Sequence, residues 1–178
     1  GADCVVTAVS IGGPAYWGEP YKSEVEIPLK YGVQQTVADT IGVGGIFRFL
    51  RTADEHLRFA KDMERYCPDA LMLNYTNPMC MLTWLHSVGS SIQNVGLCHS
   101  VQGTTKKLAK GVGADYEDIS YLVAGINHQA WVLRLRRGNE DLYPKLREIL
   151  DTHEDFAEDR VRVDMMKQFG YFVTESTR

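Results

Sequence analysis

The chain has 178 residues, of which 44% are hydrophobic, so it can bury the core of one large domain or two small ones. Its formal net charge of −4 gives no electrostatic reason to expect a nucleic acid or an anionic membrane as a partner, because those partners need Lys and Arg clustered on one face. No segment reaches the roughly 18 apolar residues of a membrane-spanning helix and no signal sequence stands at the start, so we expect a cytoplasmic protein.

The ends and the cysteines of the chain indicate an internal piece of a longer protein with free thiols. There is no initiator methionine, and residues 2–10 already have the β-branched composition of an interior strand. The four cysteines have no C-x-x-C spacing, and we expect them to be reduced and mostly buried. They are Cys4, Cys67, Cys80 and Cys98.

The segment before residue 46 gives weak signals. A glycine-rich loop at 11–18 precedes residues 21–31, where alternation and Pro28 predict a short extended segment at a sheet edge or outside a sheet. Glycines at 42, 44 and 45 resemble a phosphate loop, but no strand is predicted before them, so we favour a structural role. A basic cluster at 134–137 is interpreted as a solvent-exposed strand edge.

The rest of the first half alternates helices and strands. Helical spacing of apolar residues predicts an amphipathic helix over 46–66. Short apolar runs and turn signals then predict strands at 70–73 and 92–97 and helices at 79–88 and about 101–110. This order indicates parallel pairing in a doubly wound α/β sheet.

The later part has a different pattern. Strands are predicted at 121–123 and 128–135 with little helix between them, and helices at 142–150 and 161–169, separated by an acidic loop or exposed helix. We therefore expect a partial doubly wound, Rossmann-like α/β sheet followed by the start of an α+β domain. The boundary is placed near residues 96–100.

Three motifs follow apolar runs and end in polar side chains. They are NYTNP at 74–78, GLCHS at 96–100 and AGINHQAW at 124–131. Ligands of open α/β sheets bind at the carboxyl ends of the strands. We therefore expect the three motifs to form one site.

The residue types in these motifs leave several roles open. Cys98 and His128 are possible ligands of a divalent transition metal with open positions for substrate, although a lone cysteine or histidine is often only packing. His99 is a general acid or base, or it orients its loop. Asn77 and Asn127 bind hydroxyl groups of a ligand, or they cap helices.

The three motifs resemble the NAD- and manganese-dependent glycoside hydrolases of family 4. The segments KYGVQQTVADTIGVGGIFRFLRT upstream and FGYFVTES at the end extend the resemblance over essentially the whole chain. Within that family the chain is most similar to the α-galactosidase and α-glucosidase branch, because His99 stands where the branch that acts on 6-phosphoglycosides carries Asp.

The resemblance implies a site and a reaction. Cys98 and His128 would be the Mn²⁺ ligands, Asn77 and Asn127 would contact a sugar substrate, and His99 would have an acid or positioning role. The other two implied roles are NAD contact by Asn74 and Thr76 and proton abstraction by Tyr171. The implied reaction is redox-assisted elimination at the sugar ring, a known exception to two-carboxylate glycosidase chemistry.

The resemblance also sets the expected domain roles. Residues 1–97 would be the remainder of an NAD-binding Rossmann-like domain. Residues 98–178 would be the first part of a catalytic domain like that of lactate and malate dehydrogenases. The glycine-rich dinucleotide loop of the family and the segment after Arg178 are absent from this sequence. We expect the fragment alone to be inactive and the full-length protein to be a homo-oligomer.

Two alternatives remain. A 2-hydroxy-acid dehydrogenase of the lactate or malate type would share the fold, but it needs a catalytic His paired with Asp and an Arg for the substrate carboxylate. A non-catalytic sugar- or metal-binding module would bind without turnover.

Overall fold

The computed structural model describes residues 1–13, 18–35 and 39–174, and these residues divide into two compact units. The units are residues 1–98 and 99–178. The sequence analysis placed the boundary between residues 97 and 98, and the roles assigned there to the two parts remain predictions.

The first unit contains a parallel three-stranded sheet with helices between its strands. Its strands lie in the order β1-β2-β3. The elements in chain order are β1 (Cys4–Thr7), α1 (Tyr21–Lys30), α2 (Val43–Tyr66), β2 (Leu71–Asn74), α3 (Met79–Gly89) and β3 (Asn94–Gly96). The predicted doubly wound α/β organisation of this part is confirmed.

The core of the first unit lies between α2 and the sheet. The buried members of this core are Ala60, Met63, Ala70, Met72 and Ile92. Those of α2 recur at the spacing of one helix face, as the amphipathic pattern predicted. Burial of this face therefore fixes the orientation of α2 on the sheet.

The expected extended segment at 21–31 is wrong, because these residues form α1. The side chain of Glu24 in this helix is buried and forms ion pairs with Arg48 and Arg51 of α2. Pro28 lies in the last turn of α1, near the end of the helix, where little helix remains for it to interrupt. The ion pairs with α2 are compatible with this helix, and local alternation in the sequence does not reveal them.

The glycines before α2 serve the start of that helix. Gly42 is its N-cap residue, and Gly44 and Gly45 are buried. A single 3-10 turn, Asp39–Ile41, precedes them, so within the described residues no strand leads directly into this helix. The arrangement lacks the strand-turn-helix unit of a phosphate loop. Residues 36–38 of the quoted segment lie outside the described residues, as do residues 14–17 of the earlier loop.

The second unit is built on an antiparallel sheet with the strand order β4-β5-β6, and β7 pairs with β5. Its elements are α4 (Ser100–Gly111), β4 (Ile119–Ile126), β5 (Gln129–Arg137), β6 (Glu140–Asp141), α5 (Tyr143–Ile149), α6 (Arg160–Phe169) and β7 (Phe172–Val173). The expected α+β character of this part is confirmed. The expectation that β4 ends at the same sheet edge as β2 and β3 is wrong, because β4 belongs to this separate sheet.

No disulfide joins the four cysteines, all of which lie in the described residues, but they are not mostly buried as expected. Cys4 is exposed, and Cys67, Cys80 and Cys98 are partly exposed. The exposure of Cys4 follows from its place on β1, which lies at one edge of the three-stranded sheet.

The described helices contain no segment with both the length and the apolar character needed to cross a bilayer.

Candidate active site

The site residues of the first unit follow two adjacent parallel strands. Asn77 lies three residues after the end of β2, and Cys98 lies two residues after the end of β3. The amide of Leu97 donates to the carbonyl oxygen of Asn74 across 2.9 Å, which holds the two strand ends together. The ends of β2 and β3 therefore lie side by side, and a single site that contains Asn77 and Cys98 stays a prediction.

Asn74 is fully buried and holds β1 to β2. Its Oδ1 accepts hydrogen bonds from the Thr7 hydroxyl at 2.9 Å and from the Thr76 amide at 3.0 Å. This position argues against the predicted contact of Asn74 with the cofactor, since no side-chain atom is exposed to a ligand. Thr76 accepts a hydrogen bond from the Val9 amide at 3.0 Å and also lines a cavity, so its role in cofactor contact stays a prediction.

Asn77 is exposed at the start of α3, which begins after Pro78 as predicted. Its Oδ1 accepts a hydrogen bond from the Met79 amide at 3.2 Å. This bond orients the side chain, so that Nδ2 can serve as a donor to a ligand. The capping role and the ligand-binding role considered for Asn77 are therefore compatible.

A cavity of about 270 Å³ opens at the carboxyl ends of β1 and β2. Asn77 and Thr76 line it on one side, and Arg48 and Arg51 of α2 line it on another. The sequence analysis missed both arginines. Their spacing of three residues puts them on one face of α2, which is the signal that could have identified them.

The two arginines are held by one buried carboxylate. Arg48 donates to Oε2 of Glu24 through Nε at 3.2 Å and through Nη2 at 3.1 Å, and Arg51 pairs with Oε1. Nε of Arg51 also donates to the carbonyl oxygen of Ile11 at 2.9 Å. Partial burial lowers the pKa of Arg51 below its usual range. The wall of the cavity is therefore polar and fixed, with its positive charge offset by Glu24.

Cys98 follows a strand that approaches α3 very closely. A Cβ atom on Gly96 would lie 2.0 Å from the sulfur of Met79 and 2.7 Å from the Thr83 hydroxyl. A larger residue at position 96 would have to displace the Met79 side chain, so glycine allows the close contact between β3 and α3. The contact fixes the strand end that carries the partly exposed thiol.

His99 and His128 lie in the second unit. His99 is exposed and is the N-cap residue of α4. His128 is the second residue of the two-residue turn between β4 and β5 and has a φ of 64°. A non-glycine residue in this left-handed region is uncommon and often belongs to a functional site.

The β4–β5 hairpin that carries His128 has a close backbone contact at Gly125. Gly125 has a φ of 137°, and a Cβ atom there would lie 2.5 Å from the carbonyl oxygen of Gln129. Glycine is therefore required at this position of the AGINHQAW motif. Beside His128, the Oδ1 atom of Asn127 is buried and lacks a hydrogen-bond partner among the described residues. Such a group is costly unless a ligand or water satisfies it.

Tyr171 lies away from His128. Phe172 pairs with Val132 and Val173 with Trp131, so the antiparallel register puts Tyr171 beside Leu133. Leu133 is five residues from His128, or about 17 Å along β5. The ring of Tyr171 contacts that of Tyr143 at 6.0 Å between centroids. This geometry argues against a base role for Tyr171 next to His128, although that role is still a prediction.

Within residues 1–13, 18–35 and 39–174, no cluster of three or more His, Cys, Asp or Glu side chains is placed to hold a metal ion. A closed structural metal centre needs four protein ligands, whereas a site that binds substrate oxygens keeps positions open. The donor types of Cys98 and His128 suit the open kind of site.

The comparisons with known proteins assign this fold and these motifs to one family. The sequence model of the family 4 glycosyl hydrolases matches residues 1–114, and that of the family 4 C-terminal domain matches residues 123–178. The chain is 45% identical over 181 aligned residues to an α-galactosidase of Bacillus subtilis, which covers 99% of this chain and 40% of that protein.

Solved structures of glycosidases have the same fold as this chain. A Bacillus subtilis structure described as the glucosidase lplD superposes with a TM-score of 0.86 at 30% identity, over 98% of this chain and 45% of that one. The 6-phospho-β-glucosidase of Thermotoga maritima, solved with manganese, NAD⁺ and glucose-6-phosphate, has a TM-score of 0.76 at 25% identity, over 97% of this chain and 40% of that one.

The chain therefore belongs to family 4 of the glycosyl hydrolases, as the motifs predicted. It spans about two fifths of the length of the α-galactosidase that it matches.

Proposed function

We propose that the protein hydrolyses unphosphorylated α-glycosides, with α-galactosides as the preferred substrates, by NAD- and Mn²⁺-dependent redox elimination. The observation that carries this proposal is the 45% identity to an α-galactosidase over 99% of the chain. The NAD⁺ and manganese in the structure of a related 6-phospho-β-glucosidase support the choice of cofactors. The cytoplasmic location and the homo-oligomeric state stay predictions.

The donor set of the chain fits a catalytic metal ion. Cys98 and His128 supply one thiolate and one imidazole, which leaves coordination positions open for oxygen atoms of a sugar. The buried Oδ1 atom of Asn127, without a partner among the described residues, is an acceptor placed directly beside His128. Contact of the Asn127 side chain with the sugar stays a prediction, since Oδ1 itself is not accessible to a ligand in this conformation.

When bound, NAD would supply reversible hydride transfer with the sugar, and Mn²⁺ would supply Lewis-acid polarisation of sugar oxygens. The side chains of Cys98 and His128 would hold the ion. The thiol of Cys98 binds only as a thiolate, so it must lose its proton on metal binding.

The remaining residues bind and orient the sugar or move protons. Asn77, whose Oδ1 is held by the Met79 amide, would donate from Nδ2 to a hydroxyl group. Arg51, which lines the same cavity and is fixed by Glu24, would donate to a second one. His99 is exposed at the start of α4 and would carry a proton to or from the departing group, since its imidazole nitrogens can donate or accept one.

The preference for unphosphorylated sugars rests on the identity to an α-galactosidase and on His99, which stands where the branch that acts on 6-phosphoglycosides carries Asp. Glu24 neutralises one of the two positive charges that Arg48 and Arg51 bring to the cavity. This partial neutralisation weakens the attraction of the cavity for a 6-phosphate group.

The test uses the full-length gene product and a panel of nitrophenyl α-glycosides of galactose, glucose and galacturonate, with and without 6-phosphate. Each substrate is measured with NAD, Mn²⁺ or both withheld. The proposal predicts release of nitrophenol from the α-galactoside only with both cofactors, without net NADH. Activity without NAD would contradict it, and net NADH formation from a 2-hydroxy acid would instead support the dehydrogenase alternative.

A further inference from the structure

One buried arginine joins three elements of the second unit. Arg162 of α6 is only 5% exposed. Its Nε and Nη2 atoms donate to the carbonyl oxygen of Val173 at 3.1 and 2.9 Å, and Nη2 also reaches that of Thr174 at 3.3 Å. Nη2 donates to the Thr104 hydroxyl oxygen at 2.8 Å, and Nη1 contacts Asp159 at 3.3 Å. A buried charge is tolerated only with such partners, so this geometry is strongly specified.

The aromatic ring below the guanidinium fixes it further. The Cζ atom of Arg162 lies 4.6 Å from the ring centroid of Phe172, within the distance of a cation–π contact. Asp159 is also paired with Lys107 of α4. The network is therefore an ordered, polar connection within an otherwise apolar part of the unit.

Thr104 connects this network to the helix that begins at His99. Its hydroxyl accepts from Arg162 and donates to the carbonyl oxygen of Thr174. Thr104 lies five residues after His99, or about 7.5 Å along a rigid α-helix. Fixing Thr104 therefore fixes the helix end that carries His99.

Thr174 connects the same network to the turn that carries His128. The amide of Thr174 donates to the carbonyl oxygen of Ala130 across 2.8 Å. Ala130 lies two residues after His128, or about 7 Å along β5. The two histidines are thus joined through Thr104, Arg162, Thr174 and Ala130 by short, regular segments.

We infer that Arg162 is a positioning residue for the active site. It sets the helix that begins at His99 against the strand that follows His128, and so fixes the proton-transfer group relative to a metal ligand. This inference rests on the proposed function. Neither Arg162 nor Thr104 touches the substrate in this account, and they act through His99 and His128.

The test compares three threonine variants of the full-length protein. Thr104→Val removes the hydroxyl that joins Arg162 to Thr174, and Thr104→Ser keeps it. Thr105→Val is the matched control, because Thr105 is buried in the same helix and its hydroxyl bonds to the carbonyl oxygen of Val101 at 2.8 Å. Mn²⁺ affinity is measured from the electron paramagnetic resonance of free Mn²⁺, and kcat and thermal midpoint are measured in parallel.

We expect Thr104→Val to bind Mn²⁺ about 10-fold more weakly, which is the usual effect of losing a group that orients a metal ligand. Its kcat should fall, while Thr104→Ser and Thr105→Val should stay close to the wild type. A folded Thr104→Val protein with unchanged Mn²⁺ affinity and kcat would overturn the inference. So would an equal loss in Thr105→Val.

Arg162→Lys provides a second route in case Thr104→Val does not fold. Lysine keeps the charge but cannot reproduce the planar set of donors, so the same loss of Mn²⁺ affinity is expected. Unchanged affinity in a folded Arg162→Lys protein would overturn the inference. The wild-type protein distinguishes failure of this inference from failure of the proposed function. If the wild type bound no Mn²⁺ or showed no NAD-dependent hydrolysis, the proposed function and this inference would both be wrong.

Discussion

The Nδ1 atom of His56 lies 3.1 Å from the Nε2 atom of His86, and both imidazoles are completely buried. His56 belongs to α2 and His86 to α3, so the contact joins the two helices. Burial, with a smaller contribution from His86, lowers the pKa of His56 to about 4, and burial also lowers the pKa of His86. The pair is therefore neutral in the folded protein at physiological pH.

This pair predicts a loss of stability in mild acid. A histidine in the unfolded protein has a pKa near 6.5. Below that pH the unfolded state binds more protons than the folded state, in which the pair stays neutral, and the unfolded state is stabilised. The free energy of unfolding should fall between pH 6.5 and about 4, by on the order of 3 kcal/mol for His56 alone. Urea unfolding at pH 7.5 and at pH 5 measures the first part of this fall, roughly 2 kcal/mol for the 1.5 pH units below the unfolded pKa.

The matched variants are His56→Gln and His153→Gln, of which the second changes a partly exposed histidine in the other unit. His56→Gln should reduce the difference between the two pH values, and His153→Gln should not. An unchanged difference in His56→Gln would show that other groups cause the acid sensitivity.

Replacement of Cys98 by serine tests the metal ligand. Cys98→Ser should abolish Mn²⁺-dependent activity and weaken Mn²⁺ binding by more than the roughly 10–100-fold that loss of an outer-shell partner costs. Cys80→Ser is the control, since Cys80 is also a partly exposed thiol but lies in α3. Retained Mn²⁺ affinity in Cys98→Ser would remove Cys98 from the ligand set.

Exchange of His99 for aspartate tests the distinction between the two branches of the family. We expect His99→Asp to lower kcat by roughly 10²-fold or more, as loss of a general acid or base does. It should not confer activity on 6-phosphoglycosides, because phosphate recognition needs cationic groups of its own and this substitution adds none. Kinetics on paired phosphorylated and unphosphorylated α-galactosides measure both effects, and efficient turnover of the phosphorylated substrate would contradict the prediction.

Tyr171→Phe tests whether a distant tyrosine acts as the base. Tyr171 lies about 17 Å along β5 from His128 and is 43% exposed, so we expect this variant to keep most of its activity. Steady-state kinetics and the exchange of the C2 proton with solvent provide the measurement. Loss of hydrolysis and of C2 proton exchange, with Mn²⁺ binding unchanged, would support Tyr171 as the base.

The sequence predicted most of the regular elements because their signals are local. The spacing of apolar residues in the sequence is enough to predict α2, and short apolar runs are enough to predict β2 and β3. The turn residues around Pro78 are likewise adjacent in sequence. The family motifs added the site residues, since Cys98, His99 and His128 have no spacing that demands a metal. The residue types alone therefore identified Cys98, His99 and His128 as candidates, and their proposed roles came from the family resemblance.

The elements that were missed depend on contacts between distant residues. Residues 21–30 form a helix held by ion pairs between Glu24 and the arginines of α2, and no local pattern contains that pairing. The end of β4 was assigned to the same sheet as β2 because an apolar run does not reveal its partner strand. The network of Arg162 was missed for the same reason, since its partners Thr104, Val173 and Thr174 are 11 to 58 residues away in sequence.

The most direct measurement is hydrolysis of a nitrophenyl α-galactoside in heavy water by the full-length gene product, with NAD and Mn²⁺ each added or withheld. Redox elimination removes the proton at C2 and returns one from solvent, so galactose released with both cofactors present should carry deuterium at C2. Hydrolysis that proceeds without NAD, or that releases galactose free of deuterium at C2, would contradict the proposed reaction.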